Sequence, residues 1–402
     1  MDVLSIFQGI GTLVSQDSTI AIGRVVLIVL GLIFVYTGTK EILEPLIMTP
    51  MGFGMIAVNA AVLFLGPGVT GTIFIDPLVE DPSAVVDIIQ VNFMQPIYTL
   101  TFSNGLIACL VFMGIGVITD IGNLLRYPFT SMFIALFAEF GTIATYPIAR
   151  AFGLSCGDAA AISIVGTADG PMVLFASLML AKEIFVPVTV VAYLYLSLTY
   201  AGYPFMIRLM IPKQIRGNVV ISKSKKPDIS AGQKIAFDAI ACMLLCLLFP
   251  VAGPLFVSFF LGNAIRESGI LKYSSLLENV FLYWATFFLG FLLGVLCEAG
   301  TLLHPRVLIL LILGMTSLGL SGVGGVVGGY LVYLINGRNF NPTIGIAGVS
   351  CVPTTAKIAQ HEVTLVNKRC MILNLAMGAC ICGVITSAIL TGIYVSVIPL
   401  IM

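Results

Sequence analysis

Long apolar segments recur along the whole chain, and their lengths decide how they are interpreted. Roughly 20 consecutive apolar residues cross the hydrocarbon core of a bilayer as a helix. Ten segments are candidate spans on this criterion: 22–39, 44–65, 102–119, 129–149, 184–207, 236–250, 252–265, 277–297, 307–334 and 371–398. The pattern therefore predicts an all-α polytopic membrane protein.

Two further apolar segments, 157–180 and 342–360, are interrupted by Gly, Pro and polar residues. Irregular backbone at membrane depth persists only where other parts of the protein, or a water-filled cavity, satisfy its polar groups. We therefore predict that both segments are re-entrant hairpins rather than spans.

Composition agrees with this interpretation. Of 402 residues, 59% are hydrophobic and 9% are charged, whereas soluble domains carry about 25% charged residues. The formal net charge of zero leaves no basic footprint for nucleic acid. The nine Cys lie mostly in apolar runs and are expected to be buried, and the two His offer no zinc cluster. The N-terminus lacks the basic region and cleavage site of a signal peptide.

Basic residues in short loops predict the orientation. Seven of the 19 bases lie between Arg208 and Lys234, which places that loop in the cytoplasm. The charged residues of the loop 66–90 are all acidic (Asp76, Glu80, Asp81 and Asp87), which places this loop outside. The stretch 236–265 contains Pro250 and Pro254 and forms either one kinked helix or two short ones. Two spans put more of the downstream bases in the cytoplasm, so the charge rule favours two.

Two motifs recur along the chain at a nearly constant offset, which indicates an internal repeat. Asp120-Ile-Gly-Asn-Leu-Leu recurs 178 residues later as Glu298-Ala-Gly-Thr-Leu-Leu, and Gly166-Thr-Ala-Asp-Gly-Pro recurs 182 residues later as Gly348-Val-Ser-Cys-Val-Pro. Chance similarity of Gly-rich membrane sequence is the alternative. With two short spans between them, the repeats are inverted, as in many secondary transporters whose substrate site lies at broken helices in mid-membrane. The two hairpin tips are then expected to meet.

Asp169, at the predicted tip of the first hairpin, is the strongest candidate for chemistry. A charged group at the bilayer centre costs about 2.5–3.5 kcal/mol even on the lenient insertion scale, so acids there are functional candidates by default. With Thr167 and free carbonyls beside it, the carboxylate predicts a site for a small cation such as Na⁺. A helix cap is the alternative role, since Pro171 follows at the first helical turn.

The second hairpin supplies an amide at Asn341, close helix approach at Gly345 and a hydroxyl at Ser350. Lys357 is the one base between Arg338 and His361. It is placed to meet an anion from the cytoplasm, or else to extend to the lipid headgroups.

Other polar residues are weaker candidates. Glu139 is expected to be a helix-interface or accessory residue, and the caps or dipole partners are Glu298, Asp120 and Asp238. Tyr193 and Tyr195 are expected to belong to an interfacial belt, with Tyr195 also able to reach the ion site.

At these residues the sequence resembles the integral-membrane β subunits of biotin-dependent, sodium-translocating decarboxylases that act on oxaloacetate, methylmalonyl-CoA or glutaconyl-CoA. The motifs are Gly166-Thr-Ala-Asp-Gly-Pro, the run from Asn341-Pro to Gly-Val-Ser350-Cys-Val-Pro, Leu261-Gly-Asn-Ala-Ile-Arg-Glu-Ser-Gly269, Gly114-Ile-Gly-Val-Ile-Thr-Asp120 and Phe137-Ala-Glu-Phe-Gly141. The resemblance extends over nearly the whole chain.

The resemblance implies a translocase that decarboxylates carboxybiotin and exports Na⁺ with proton uptake. It implies catalytic roles for Asp169, Tyr195 and Lys357, and a Na⁺ site formed by Asp169, Thr167, Asn341, Gly345 and Ser350. Lys357 and Asn341 would contact carboxybiotin. The family pattern differs here at three places: Lys357 replaces an arginine, Thr167 replaces a glycine, and Ala379-Cys380 replaces a Pro-Asn pair.

The family also implies partners: a biotin carrier subunit, a carboxyltransferase α subunit and a single-span γ or δ subunit, with the β chain as a homotrimer in the bacterial cytoplasmic membrane. We expect a scaffold (1–100), a first repeat (101–207), a basic loop with two short spans (208–276) and a second repeat (277–402), with an elevator-like core moving against the scaffold. The alternatives are a stand-alone Na⁺/H⁺ or dicarboxylate transporter and a subunit that only anchors its soluble partners.

Overall fold

The computed structural model describes residues 7–66, 69–76, 92–220, 229–303 and 305–401. Glu80, Asp81 and Asp87 of the acidic loop, and Lys223, Lys225 and Lys226 of the basic loop, lie outside these residues. The described chain is almost entirely helical, and its longest helices are apolar. Seven of its helices are long and apolar enough to cross a membrane, or up to eight if one bent pair is a single span. The protein is therefore a polytopic α-helical membrane protein.

The chain divides into two compact units, of which the first comprises Met1–Ile107 and Tyr283–Ile309. Its helices begin with α1 (Gln8–Ser15), α2 (Ser18–Thr39), α3 (Pro45–Ala60) and the one-turn α4 (Gln95–Ile97), which continues as a π-helical turn to Phe102. Arg24 joins the first three helices, although it lies within an apolar segment. Arg24 is 2% exposed, and its guanidinium donates to Gln16 Oε1 (2.7 Å) and to the carbonyl of Asn59 (2.9 Å).

A pair of short antiparallel strands, β1 (Leu63–Gly66) and β2 (Val69–Gly71), follows α3. The predicted span 44–65 was therefore too long, because its helix ends at Ala60 and the remaining apolar residues pair as a strand. A short apolar run fits a helix and a strand equally well by hydropathy alone. The predicted span 102–119 is also shorter than expected. It begins at Leu106, after a bend of 64° near Gly105, whose φ is 77°.

The second unit comprises Ala108–Leu282 and Leu310–Met402. In its first half the helices are α5 (Leu106–Ile118), α6 (Gly122–Arg126), α7 (Pro128–Ala138), α8 (Phe140–Ala151), α9 (Cys156–Ser163), α10 (Gly170–Leu180), α11 (Phe185–Met210) and α12 (Lys213–Arg216). A 3₁₀ turn, Ile164–Thr167, extends α9, and a second, Lys182–Ile184, precedes α11. The predicted span 129–149 is confirmed, because α7 and α8 together form one helical span, Pro128–Ala151, with backbone hydrogen bonds from Glu139 to Ala135 (3.1 Å) and from Ile143 to Glu139 (3.0 Å) across their junction.

The stretch with the two prolines forms two helices, α13 (Ala231–Leu248) and α14 (Gly253–Glu267), joined by a 3₁₀ turn at Pro250–Ala252. Lys234 in the first turn of α13 lies 3.0 Å from Glu267 at the end of α14. Because the start of α13 contacts the end of α14, the two helices run antiparallel. The interpretation of two short helices is correct, and a single kinked helix is excluded.

Lys234 also contacts Asp120 Oδ1 at 2.7 Å. Burial would by itself raise the pKa of Asp120. The hydrogen bonds from Lys234 and from the backbone of Gly122 outweigh this effect and hold that pKa below its ordinary value. The ion pair is therefore present at neutral pH and is lost as the pH falls through the lowered pKa of Asp120. It fixes the turn after α5 to the open end of the α13–α14 pair.

The element order of the second half repeats that of the first. Its helices are α15 (Leu271–Leu276, continued by a π turn to Phe281), α16 (Leu282–Leu296), α17 (Ala299–Leu302), α18 (Pro305–Ile335), a 3₁₀ helix Pro342–Gly348, α19 (Thr354–Thr364) and α20 (Leu373–Ile401). In both halves a long helix, a short helix and a further long segment lead into a broken segment and then a final long helix. We name 156–180 the first broken segment and 341–364 the second.

Candidate functional site

The first broken segment places a carboxylate at its break. The 3₁₀ turn ends at Ala168, whose φ of 53° is left-handed and is uncommon for a residue with a Cβ. Asp169 is extended, and α10 begins at Gly170 with Pro171 in its first turn. Asp169 Oδ1 accepts from the Met172 backbone at 3.4 Å. The side chain therefore caps α10, and its second oxygen is left for another partner.

The second broken segment begins with a cap of the same kind. Asn341 Oδ1 accepts from the Thr343 backbone at 3.0 Å and starts the 3₁₀ helix, which gives way to extended chain at Val349. Ser350 follows in this irregular stretch, before α19 begins at Thr354. The backbone therefore leaves helical geometry in both broken segments, and polar atoms are available at each break.

The two breaks are in direct contact. Ser350 donates to the carbonyl of Thr167 through its backbone N–H (3.1 Å) and through its hydroxyl (2.7 Å), and its Oγ lies 3.5 Å from Asp169 Oδ2. Ser387 of α20 adds a further hydroxyl, 3.3 Å from Ser350 Oγ. Asp169 is 4% exposed and Ser350 is 3% exposed. A carboxylate, a carbonyl and two hydroxyls therefore converge at one buried point.

The contacts of Asp169 supply no positive charge, since they come from a backbone N–H and a hydroxyl. A buried carboxylate without a compensating charge is costly. It is stabilised either by a proton or by a cation. Oxygen ligands are those that hard cations prefer, and carbonyls freed at helix breaks coordinate Na⁺ in transporters. The arrangement can therefore bind a small cation or a proton.

The predicted ion ligands are only partly brought together. Thr167 contributes its carbonyl, because its hydroxyl donates to Ile164 (2.8 Å) and accepts from the backbone of Asp169 (3.2 Å). Gly345 serves close packing: a Cβ there would overlap the carbonyl oxygen of Gly325 in α18. Asn341 donates to the carbonyls of Arg216 (2.8 Å) and Asn218 (3.0 Å), so its amide is occupied away from Asp169.

Two tyrosines of α11 lie on different faces of that helix. Tyr195 donates to the carbonyl of Leu311 at 2.7 Å, which directs its hydroxyl to α18. Tyr193 packs on Gly170 so closely that a Cβ at Gly170 would overlap its ring, and it lies within electrostatic range of Asp169. Its hydroxyl is buried and has no hydrogen-bond partner. Tyr193, rather than Tyr195, is therefore the tyrosine beside the acid.

Lys357 is exposed in the first turn of α19. The same helix is held in place near its other end by a buried acid, Glu362. Glu362, 1% exposed, binds Arg208 through two hydrogen bonds (2.8 and 2.7 Å) and Arg216 through one (3.3 Å). These contacts fix α19 to the end of α11 and to α12. Sequence reasoning missed Glu362, because its partners are about 150 residues away along the chain.

The helical architecture defines a polytopic membrane protein, and the two broken segments meet at a buried acid. A model of the family described as the Na⁺-transporting oxaloacetate decarboxylase β subunit matches residues 23–398. The chain belongs to this family.

Individual relatives align over almost their full length. The chain is 56% identical over 394 residues to the carboxybiotin decarboxylase of Malonomonas rubra, which covers 98% of each protein. It is 30% identical over 430 residues to the oxaloacetate decarboxylase β chain of Klebsiella pneumoniae, covering 97% of each. The β subunit of methylmalonyl-CoA decarboxylase from Veillonella parvula is 29% identical over 371 residues, covering 92% of each.

Proposed function

We propose that this chain decarboxylates carboxybiotin carried by a partner subunit and couples the reaction to Na⁺ export with proton uptake. The observation that carries the proposal is the contact between the two broken segments, where Asp169, Ser350 and the Thr167 carbonyl meet in a buried position. Family membership supports the chemistry, since relatives are named for decarboxylation of carboxybiotin, oxaloacetate and methylmalonyl-CoA.

In the proposed topology the chain has ten spans and two re-entrant hairpins, arranged as an inverted repeat. The repeated element order supports this arrangement, and so does the antiparallel α13–α14 pair, which provides the additional crossing that inverts the second half. The contact of Asp120 with Lys234 agrees with a cytoplasmic position for both. One hairpin then enters from each side, and the residues of 101–207 and 277–402 form the two repeats.

Na⁺ is held by Asp169 with hydroxyl and carbonyl oxygens from both broken segments, including Ser350. The hairpin-bearing core moves against the scaffold in an elevator-like motion and exposes the ion to the outside. There Asp169 releases Na⁺ and takes up a proton. Because one carboxylate accepts either cation, export of Na⁺ and uptake of H⁺ occur at the same group.

Carboxybiotin approaches from the cytoplasm, and Lys357 neutralises its carboxylate. The bond between the ureido nitrogen and the carboxyl carbon breaks, and the carbon leaves as CO₂. The electron pair remains on the ureido nitrogen, which takes the proton delivered from Asp169. The proton balance of decarboxylation therefore requires the return of a proton for each carboxyl group lost, and this links the reaction to the ion site.

The chain needs partners for this activity, because no lysine in it lies in a Met-Lys-Met context for biotin attachment. We propose a biotin carrier, a carboxyltransferase α subunit and a single-span γ or δ subunit as these partners. A homotrimeric β chain in the bacterial cytoplasmic membrane completes the assembly.

The test is Na⁺-dependent decarboxylation of free carboxybiotin by the purified chain, with ²²Na⁺ uptake into proteoliposomes measured in parallel. We expect CO₂ release that requires Na⁺, and ²²Na⁺ flux that requires carboxybiotin. Flux that is independent of carboxybiotin would identify a stand-alone transporter. The absence of both activities in folded protein would leave only an anchoring role.

A second prediction concerns Lys357. Replacing it with Ala removes a charged partner of the carboxylate, a hydrogen bond to a charged group being worth about 1.5–3 kcal/mol. We expect Lys357→Ala to raise the KM for carboxybiotin about 10- to 100-fold, and Lys357→Arg to restore it. Lys368→Ala, at another exposed lysine, is the matched control. An unchanged KM in Lys357→Ala would remove Lys357 from the substrate site.

A further inference from the structure

Exposed bases and a buried acid distinguish the region formed by α12 and the end of α19. In the described residues 208–220 and 336–371, the one acid is Glu362, which is buried and paired with Arg208 and Arg216. The bases that these ion pairs leave out are exposed, and four of them form what we name the basic platform: Lys213, Arg338, Lys368 and Arg369. Within these described segments, therefore, no acidic side chain at the surface balances the charge of the platform.

Hydrogen bonds join the three segments that carry the platform, all of which belong to the second unit. The amide of Asn218, just after α12, donates to the carbonyl of Arg338 at 2.9 Å. The amide of Asn367, after α19, donates to the carbonyl of Gly217 at 3.0 Å. The Cys370 thiol donates to the carbonyl of Asn218, also at 3.0 Å. Bases that are far apart in the sequence therefore lie on one continuous surface.

Side chains hold the loop after α19 in a defined shape. Gln360 donates to the carbonyl of Cys370 through Nε2 (3.0 Å), and its Oε1 accepts from the backbone of Ile372 (2.8 Å). Within the loop, Asn367 Oδ1 accepts from the backbone of Arg369 at 3.1 Å. A surface whose backbone is already ordered loses less conformational entropy when a partner binds. The loop that carries two bases of the platform is therefore preorganised for binding.

Apolar side chains stand beside these bases. Leu365 is 61% exposed and Met371 is 73% exposed, and they flank Lys368 and Arg369 in the same loop. Met and Arg are enriched in protein–protein interfaces, where apolar anchors are surrounded by a polar rim. The combination of two apolar side chains with unbalanced positive charge therefore fits a partner that presents acidic residues around an apolar contact.

The position of the platform relative to Lys357 indicates which partner this is. Lys368 and Arg369 follow one end of α19, and Lys357 lies in the first turn at its other end. The helix has 11 residues and is therefore about 16 Å long. A protein that brings carboxybiotin to Lys357 has to be held close to this helix, whereas a lipid headgroup has no such requirement. The position therefore favours a protein partner over anionic lipid, which cytoplasmic bases also attract.

We propose that the basic platform, with Leu365 and Met371, docks the biotin carrier subunit through an acidic surface of that subunit. This proposal rests on the proposed function, because it assigns a docking place to the partner that supplies carboxybiotin. Complementary charge speeds association and fixes orientation more than it adds affinity. The platform therefore governs the delivery of carboxybiotin, whereas Lys357 contacts carboxybiotin itself.

The test compares two substrates of the purified full-length chain at one Na⁺ concentration: the carboxylated biotin carrier subunit and free carboxybiotin. We expect Lys368→Glu and Arg369→Glu each to lower kcat/KM for the carrier about 10-fold, and the double variant about 100-fold, because like charges then face each other. Kinetics with free carboxybiotin should be unchanged in all three variants, which also shows that they are folded. Lys272→Glu, at an exposed lysine of α15, is the matched control and should change neither reaction.

Binding of the carrier subunit to the immobilised chain measures docking without turnover. The association rate should fall as choline chloride is raised from about 0.01 to 0.15 M, since the Debye length then shortens from about 30 to 8 Å. The double substitution Lys368→Glu with Arg369→Glu should remove most of this salt dependence.

The remaining outcomes separate docking from the proposed function. Unchanged carrier binding and kcat/KM in the double variant would overturn the docking site. Equal losses with both substrates would overturn it too, because the bases would then act on the reaction itself. Losses seen only in nanodiscs that contain anionic lipid would assign the bases to headgroups and overturn docking. A parent that binds the carrier through the platform, but releases CO₂ from neither substrate, would retain the docking site and refute the proposed function.

Discussion

Asp169→Asn should abolish Na⁺-stimulated decarboxylation and Na⁺ transport while leaving the protein folded. Asn is as good a helix cap as Asp, so α10 keeps its first turn. In the proposed mechanism the variant loses the negative charge that would bind Na⁺ and the group that would exchange it for a proton. Loss of a proton-transfer group lowers turnover about 10²–10⁴-fold, and loss of the charge proposed to bind Na⁺ adds to this.

The stability of the same variant provides an independent measurement. Removing an uncompensated buried charge should leave the Tm in Na⁺-free buffer equal to that of the parent or above it. Na⁺ should stabilise the parent, because a ligand that binds only the folded state raises its Tm, and should stabilise Asp169→Asn less. Asp158→Asn, an acid in the first turn of α9, is the control. Full Na⁺-dependent turnover in Asp169→Asn would refute the assignment, and equal losses in Asp158→Asn would indicate general disruption.

The breaks that form the candidate site could be predicted because their causes are local. Gly170-Pro171 after Asp169 and Asn341-Pro342 each combine a capping side chain with a proline that lacks a donor. The separation of α13 from α14 has the same origin in Pro250 and Pro254. In each case two or three adjacent residues determine where the helix ends, whatever surrounds them.

Other features depend on contacts between distant residues, which the sequence does not reveal. Successive helical residues point about 100° apart, so Tyr193 and Tyr195 face different neighbours, and only the packing of α11 shows which one reaches Gly170. Asn341 has an amide suited to an ion, but the structure pairs it with carbonyls near Arg216.

The same distinction applies to the charged residues of the second broken segment. The sequence marks Lys357 as a candidate because it is the one base between Arg338 and His361, whereas sequence reasoning assigned no role to Glu362. In the folded chain Lys357 is exposed, and Glu362 is buried between two arginines. Charge spacing along the sequence identifies isolated charged residues such as Lys357, but only the fold shows that Glu362 is the buried, paired one.

Glu362→Gln should therefore be among the most destabilising single substitutions in the chain. Its carboxylate compensates Arg216, whose side chain is only 6% exposed, whereas Arg208 is 53% exposed and can be solvated when unpaired. Removing one partner of a buried ion pair costs about 3–5 kcal/mol. We expect the apparent Tm in detergent to fall by about 5–10 °C. Activity should fall as well, because the Arg216 carbonyl also holds Asn341 at the start of the second broken segment.

Three further variants separate this effect from a general loss of charge. Glu278→Gln, at an exposed glutamate, should change the stability by no more than about 1 kcal/mol, and Arg208→Ala should cost less than Glu362→Gln, because Arg216 still compensates the buried carboxylate. The double substitution Glu362→Gln with Arg216→Met should recover much of the lost Tm, because replacing both members of a buried pair avoids leaving a charge unpaired. If Glu362→Gln melts with the parent, the buried pair does not anchor α19, and the position of Lys357 must depend on other contacts of that helix.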